Sequence, residues 1–471
     1  MQKTKIIATI GKSSNSRENL KELIERGMNG ARINFYHHSY EEIKNIAEII
    51  RDLDNELNTL TSLIGLIRDN KIRTKDFENE SCEVNTGDTF TFLCGSDTLG
   101  NSSHCSISSD YLQDEIKVND IIFIDNGAIQ FKVLEVIRRE IKCTTLIGGT
   151  LFKNMQLTIP NCPVSSPLIN DEIEMDIELA CNLGFDFICC SSINTREDAE
   201  LYKDLTFKHG KNILKLLSVI ENNSSVTNID DIIDISDGII ISRGALSINT
   251  PPLSIPFIQK DIIKKCNLSN KICIVSTEVL SSMSDFPRPT RAEVSDVYNS
   301  VLDGVDAVIL TNTTSSGSYV ADTCTTLKKI LVNSEKHLNF EEYKKLFSND
   351  LILDYDSLMA SSVADISNKF PAKAIIVGTN NGKLPRNISK YRPKAPIIAV
   401  TNNKAVGRTL SIQFGIIPFI YKDFEDKDKF MDEARSIALN YGFAEKLDTI
   451  IVLTASKSIS WKSDNLKIVS I

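Results

Sequence analysis

KIIATIGKSSNSRENLKELIERGMNGARINF, residues 5–35, reads as one strand–helix–strand unit. Lys5–Ile10 is a short β-branched run closed by Gly11, which suits a buried strand. Ser16 is a candidate N-cap for a helix running through Glu25 and stopped at Gly27 or Gly30. Residues 30–35, GARINF, then supply a second strand. The rhythm continues with a helical period over Tyr40–Leu57, carried by Ile43, Ile46, Ile49 and Ile50, and a third strand over Ser62–Ile67. Strands alternating with helices of 10–18 residues predict βαβ units and a parallel sheet.

Near Lys75 the rhythm breaks. TFTFLC (89–94), DIIFIDNGAIQFKVLEVI (120–137) and EIKCTTLI (140–147) are short β-rich runs, and Asn126-Gly127 is a hairpin signal. They predict an all-β insert over 75–156. The alternation resumes with an amphipathic helix over Asp171–Leu183. Strands follow at 185–193, 213–221, 237–246, 271–277 and 306–312, which brings the expected total to eight. Residues 1–74 and 157–334 together amount to about 250 residues, the size of a (β/α)8 barrel. The expected architecture is α/β: a TIM barrel, an inserted β-rich lid, and a C-terminal α/β domain over 335–471. In that last domain, strands are predicted at 374–379, 396–401, 415–420, 449–454 and the chain's end.

Composition narrows the function. The 471 residues are 42% hydrophobic and 24% charged, within the globular norm. Lys plus Arg is 53 against 62 Asp plus Glu, a net charge of −9, which argues against nucleic-acid and anionic-membrane partners. No apolar run approaches the ~20 residues that span a bilayer. Met1–Ile10 lacks the small-residue cleavage site of a signal peptide. Eleven scattered cysteines without a C-x-x-C pair predict reduced thiols, and with them a cytoplasmic protein.

Chemistry in a barrel sits at the C-terminal ends of its strands. Those ends carry Arg32 and Asn34, Arg73, Ser191, Glu221-Asn222, Arg243-Gly244, Thr277 and Thr314. Converging arginines, hydroxyls and one carboxylate suit an anionic, phosphate-bearing ligand, because guanidinium forks bind such oxygens bidentately.

At these residues the chain resembles pyruvate kinases. TKIIATIG (4–11), GARINFYH (30–37), KIRT (71–74), VIEN (219–222), SDGIIISRGAL (236–246), STEVLSSM (276–283) and PRPTRAEVSDVYNSVLDGVDAVIL (287–310) fall in the family's order and spacing. The resemblance implies phosphoryl transfer from phosphoenolpyruvate to ADP, with magnesium, on a tetrameric scaffold. It gives Arg32 and Arg73 phosphate-facing roles and assigns Ser191, Gly244 and Thr277 to the substrate. Asn34 falls on a monovalent-cation ligand position at the nucleotide side, His37 on a nucleotide contact, and Glu221 on one of two metal carboxylates.

The departures are specific. The second metal carboxylate is Ala245, the catalytic lysine two residues before Glu221 is Val219, and the Asp-Thr pair that holds potassium is Leu66-Ile67. Tyr36 replaces a serine ligand of the same ion, Ser247 a glycine, Ser225 another glycine, and Asn312–Ser315 the G-E-T-A segment. Lys71 occupies the position where potassium-independent members also carry lysine, so its ammonium substitutes for the monovalent cation. Potassium is therefore not expected, and the magnesium site is weakened. Lys215 lies on the same strand face as Val219 but about 13 Å away, too far to replace the lysine. The C-terminal effector loop is matched in part by Thr401, Asn402 and Lys404, with Val406 in place of its closing hydroxyl, and by Thr454 and Ser456.

Three functions fit these residues. The first is a homologue that has lost efficient phosphoryl transfer and keeps an anion-binding mouth, as a regulatory homo-oligomer or a hetero-oligomer with an active homologue. The second is a barrel turned to other chemistry on a phosphate or carboxylate ligand. The third is a genuine but weakened pyruvate kinase.

Overall fold

A computed structural model describes the chain except for residues 126, 161–167, 211–213, 348–354, 423–426 and 456–462. Ser16 caps the first helix, Arg17–Glu25, by accepting the Asn19 N–H, and Ser39 and Glu42 form a capping box on Tyr40–Leu57. The eight expected strands close into one parallel barrel: Lys5–Ile10, Met28–Asn34, Ser62–Leu66, Phe187–Cys190, Lys215–Ile220, Gly238–Ser242, Ile272–Ser276 and Ala307–Leu310. The first strand pairs with both the second and the eighth, which seals the ring.

Several strand boundaries differ from the sequence expectation, and two of the differences have a clear local cause. The second strand starts at Met28, before Gly30, because its edge is already paired with Ile6. The sixth ends at Ser242, and Arg243–Asn249 is a helix. The run DGIIISRGAL is therefore a strand only through its β-branched half, and Ala245 and Leu246 take their stronger preference for helix.

The barrel interior is filled by alternate residues of successive strands, among them Ile7, Ile64, Leu217, Val219, Ile240 and Ile309. Ile412, from the C-terminal region, joins this cluster. A Cβ on Gly30 would lie 3.0 Å from Ile412, so the missing side chain makes room for that plug. Other contacts hold the C-terminal region to the barrel. Lys5 Nζ donates to Ile416 O at 2.6 Å, Arg408 Nε reaches Asp186 at 2.7 Å, and Arg392 pairs with Asp306 at 2.8 Å. Arg392 is 2% exposed and also donates to Asn267 Oδ1 and Gly304 O.

The insert folds as a six-stranded sheet and a two-stranded sheet around its own phenylalanine-rich core. Its hairpin pairs Ile121–Ile124 with Ile129–Ile137; of the predicted turn residues, Gly127 has φ +90°, where glycine is strain-free, and Asn126 lies outside the described residues. The C-terminal sheet has five strands, four parallel and a final antiparallel one, Ser463–Ser470. Among the described residues no helix is long and apolar enough to cross a membrane.

Candidate active site

The candidate site lies at the C-terminal ends of the barrel strands, beneath the lid. A Cβ built on Gly127 at the lid hairpin would lie 3.9 Å from Ile248, so the tip of the lid comes close to the helix that follows the sixth strand. Arg73 belongs to both parts. Its N–H donates to Ser108 Oγ of the lid at 2.9 Å, while its guanidinium turns into the mouth.

There the charges form one cluster. Lys71 Nζ is 2.5 Å from Glu221 Oε2 and 3.4 Å from Asp69 Oδ2, and Arg73 lies 3.0 Å from Asp69 Oδ1. Glu221 Oε1 also accepts the Ser192 N–H at 3.0 Å. The Tyr36 ring lies 4.0 Å beneath the Arg73 guanidinium, and its hydroxyl donates to Asp69 O. Burial opposes the charge of Lys71, but Glu221 and then Asp69 more than offset it and hold its pKa above the usual lysine value. Burial likewise opposes the charge of Asp69, yet Lys71 and Arg73 prevail and depress its pKa.

The predicted residues distribute unevenly around this cluster. Arg32 is half-buried; its Nε donates to Thr9 Oγ1 at 3.0 Å, and among the described residues it has no carboxylate partner. Desolvation lowers its pKa. The Nε of Arg73 is buried without a hydrogen-bond partner. These two guanidinium groups thus retain donor capacity. Arg243 differs in having a carboxylate partner: it pairs with Asp296 at 2.5 Å and donates to Thr277 O at 2.9 Å, although its Nε is likewise buried without a hydrogen-bond partner. Thr314 donates to Thr9 O within the wall. The Asn34 side-chain oxygen accepts the Tyr36 N–H, and Ser191 is buried at the end of its strand. The His37 ring reaches solvent, but desolvation by the surrounding mouth, then Arg73, His38 and Arg32, lower its pKa and favour the neutral form.

Thr277 follows the seventh strand with φ +67°, a conformation that costs a β-branched residue of order 1–3 kcal/mol. Its hydroxyl accepts the Gly244 N–H at 2.8 Å and donates to Ser276 O at 2.6 Å, so it fastens the sixth and seventh loops together. Ser192, with φ +63°, is bent in the same way at the fourth strand.

The donor set does not fit a resident divalent cation. Glu221 is capped by an ammonium and a backbone N–H, position 245 offers a methyl group, and Asp69 is shared between Lys71 and Arg73. Among the described residues no three His, Cys, Asp or Glu side chains are grouped to hold a metal. In the absence of its carboxylate partner, Glu221 is held by the Lys71 contact. Val219 is 7% exposed and packs in the barrel interior with Leu66, while Ile67 is buried in the outer helix layer. Lys215, near the far end of its strand, is 3.8 Å from Asp237.

Sequence reasoning missed Asp69 and Ser192. The signal for Asp69 was its spacing: in RDNKIR, positions i, i+2 and i+4 are acid, lysine and arginine. Ser192 acts through its backbone and left no signal. In the C-terminal domain Thr401 is buried, Asn402 is exposed, and Lys404 Nζ donates to Asn55 Oδ1 at 3.1 Å. Thr454 lies in the strand Thr449–Ala455, and Ser456 falls outside the described residues.

Comparison with known proteins places this geometry. The family profile described as pyruvate kinase, barrel domain, matches residues 1–324, and that of the pyruvate kinase alpha/beta domain matches 357–469. The pyruvate kinase of Clostridium perfringens is 38% identical over 474 residues, and that of Clostridium acetobutylicum 32% over 469, each comparison spanning 99% of both chains. A crystal structure of a pyruvate kinase from Cryptosporidium parvum superposes with a TM-score of 0.88 at 30% identity, covering 100% of this chain and 96% of the other.

Proposed function

The chain belongs to the pyruvate kinase family, and from that premise we propose that it captures a small phosphate- or carboxylate-bearing ligand at the barrel mouth while transferring phosphoryl groups from phosphoenolpyruvate to ADP poorly or not at all. The observation that carries the reading is at Val219. A buried isopropyl group stands where the family's lysine reaches the transferred group, and the mouth's lysine, Lys71, is bound to Glu221 and Asp69.

Phosphoryl transfer passes through a loose, highly charged transition state, so positioned cations supply much of its acceleration. Loss of one such group costs roughly 10²–10³ in rate. The second carboxylate is lost as well, at Ala245. Ground-state capture asks less of the site: the donors of Arg32 and Arg73 can hold phosphate oxygens without completing the transfer. Such a chain suits a regulatory role, as a homo-oligomer or in a hetero-oligomer with an active homologue.

The test is a coupled assay for pyruvate with phosphoenolpyruvate, ADP and magnesium, with and without potassium. The expected turnover lies well below ~1 s⁻¹, the lower end of the ordinary enzyme range; turnover within that range refutes the reading. A second reading, a slow but genuine pyruvate kinase, is favoured by the 38% identity to a protein of that name. It predicts weak pyruvate release that Glu221→Ala abolishes.

A further inference from the structure

We propose that the mouth takes its anionic ligand without a divalent cation, the Lys71 ammonium supplying the positive charge at Glu221 that a metal would otherwise bring. The inference rests on the anion-capture reading above and adds how the ligand's charge is met.

A divalent cation approaching Glu221 finds both carboxylate oxygens taken, Oε2 by Lys71 at 2.5 Å and Oε1 by the Ser192 N–H at 3.0 Å. Magnesium commonly needs only one or two carboxylates and keeps several waters, so the missing partner at Ala245 would not by itself exclude it. The ammonium is the stronger obstacle. It must be displaced from a buried ion pair, and it repels a second cation at short range. Asp69, the other carboxylate beside Lys71, is already paired with Arg73 at 3.0 Å.

The charge balance explains how an anion binds there unaided. Lys71 and Arg73 balance Asp69 and Glu221, and Arg32, which with Arg73 is near enough to His37 to lower its pKa, adds one positive charge in excess. That excess coincides with unused donors, since Arg32 has no carboxylate partner among the described residues and Arg73 Nε is buried without a hydrogen-bond partner. Fixed guanidinium and ammonium groups need no reorganisation to receive a phosphate monoester. The ligand class is therefore a small phosphate monoester, with its phosphoryl oxygens on the two arginines and Lys71 completing the neutralisation.

Calorimetric titration of the full chain with phosphoenolpyruvate as probe, after chelator treatment and then with millimolar magnesium chloride, tests this. The expected result is a Kd that differs by less than about threefold between the two conditions. Tightening by tenfold or more with magnesium overturns the inference and leaves the anion-capture reading intact. Failure to bind in either condition overturns that reading as well, and efficient pyruvate release overturns only the claim of lost transfer. Two variants sharpen the result. Glu221→Gln frees the ammonium and should bind the probe at least as tightly as the parent without magnesium, whereas Lys71→Gln should bind about tenfold more weakly. The opposite order, with Glu221→Gln the weakened variant, contradicts the assignment. The comparison with and without magnesium on the unaltered chain stands even if a variant fails to fold.

Discussion

Replacing Lys71 by methionine keeps the length of its side chain and removes its charge, and the structure sets what this should cost. Side-chain exposures of 16% for Lys71 and 9% for Glu221 make theirs a largely buried pair with a 2.5 Å contact. Two unit charges about 4 Å apart attract by roughly 4 kcal/mol at an effective dielectric constant of 20. Desolvation offsets much of that gain, so the intact pair adds little net stability, but removing one partner strands the other and costs about 3–5 kcal/mol. Glu221 keeps the Ser192 N–H and Asp69 keeps Arg73, which places Lys71→Met near the lower end, at about 3 kcal/mol. Glu221→Met leaves the ammonium with Asp69 and should cost about 2 kcal/mol. The double variant removes both charges and should cost less than the sum of the singles by at least about 2 kcal/mol. Urea denaturation of the four proteins, analysed as a double-mutant cycle, measures this coupling. A value below about 0.5 kcal/mol, as exposed ion pairs give, would refute the argument that Lys71 is committed to Glu221.

Other residues carry their own expectations. Arg32→Gln removes a charged donor and should weaken phosphoenolpyruvate binding about 10–100-fold, the equivalent of the roughly 1.5–3 kcal/mol of a charged hydrogen bond; calorimetry reads it. Asp69 has a depressed pKa, so it contributes stability above its unfolded value near ~3.9, and that contribution fades as the pH falls through its lower folded value. Asp69→Asn should therefore lower Tm at pH 7 and lose this deficit below about pH 4, as calorimetric melts across pH would show. Arg392→Met strands Asp306 in a buried site between barrel and C-terminal domain and should cost about 3–5 kcal/mol in urea denaturation.

The barrel was legible because its strands are β-branched runs buried on both faces, and because the cap expected at Ser16 is used by the structure. Where a run crossed an element boundary, as at Ser242-Arg243, hydrophobicity persisted into the next helix and hid the change. Ile412 could not be assigned to the barrel core from sequence, since its partners lie hundreds of residues away and periodicity reports only local burial. The site was legible as a set of residue types but not as a set of pairs. Arg32 and Arg243 look alike in sequence, yet among the described residues one has no carboxylate partner and the other is bound to Asp296, a choice made by the helix that presents the aspartate. Lys71 was readable as a cation. Its engagement with Glu221 depends on how the loop after the third strand turns, and no spacing rule encodes that.

On the proposed reading, the groups missing at positions 219 and 245 are what silence the transfer. Restoring both, with Val219→Lys and Ala245→Asp, and assaying pyruvate release beside the unaltered chain tests it most directly. The predicted result is little or no turnover in the unaltered chain and a rise of roughly 10²-fold or more in the double variant, the worth of one positioned charge in a preorganised site. Turnover of ~1 s⁻¹ or faster in the unaltered chain, or a folded double variant that binds phosphoenolpyruvate and gains nothing, would contradict it.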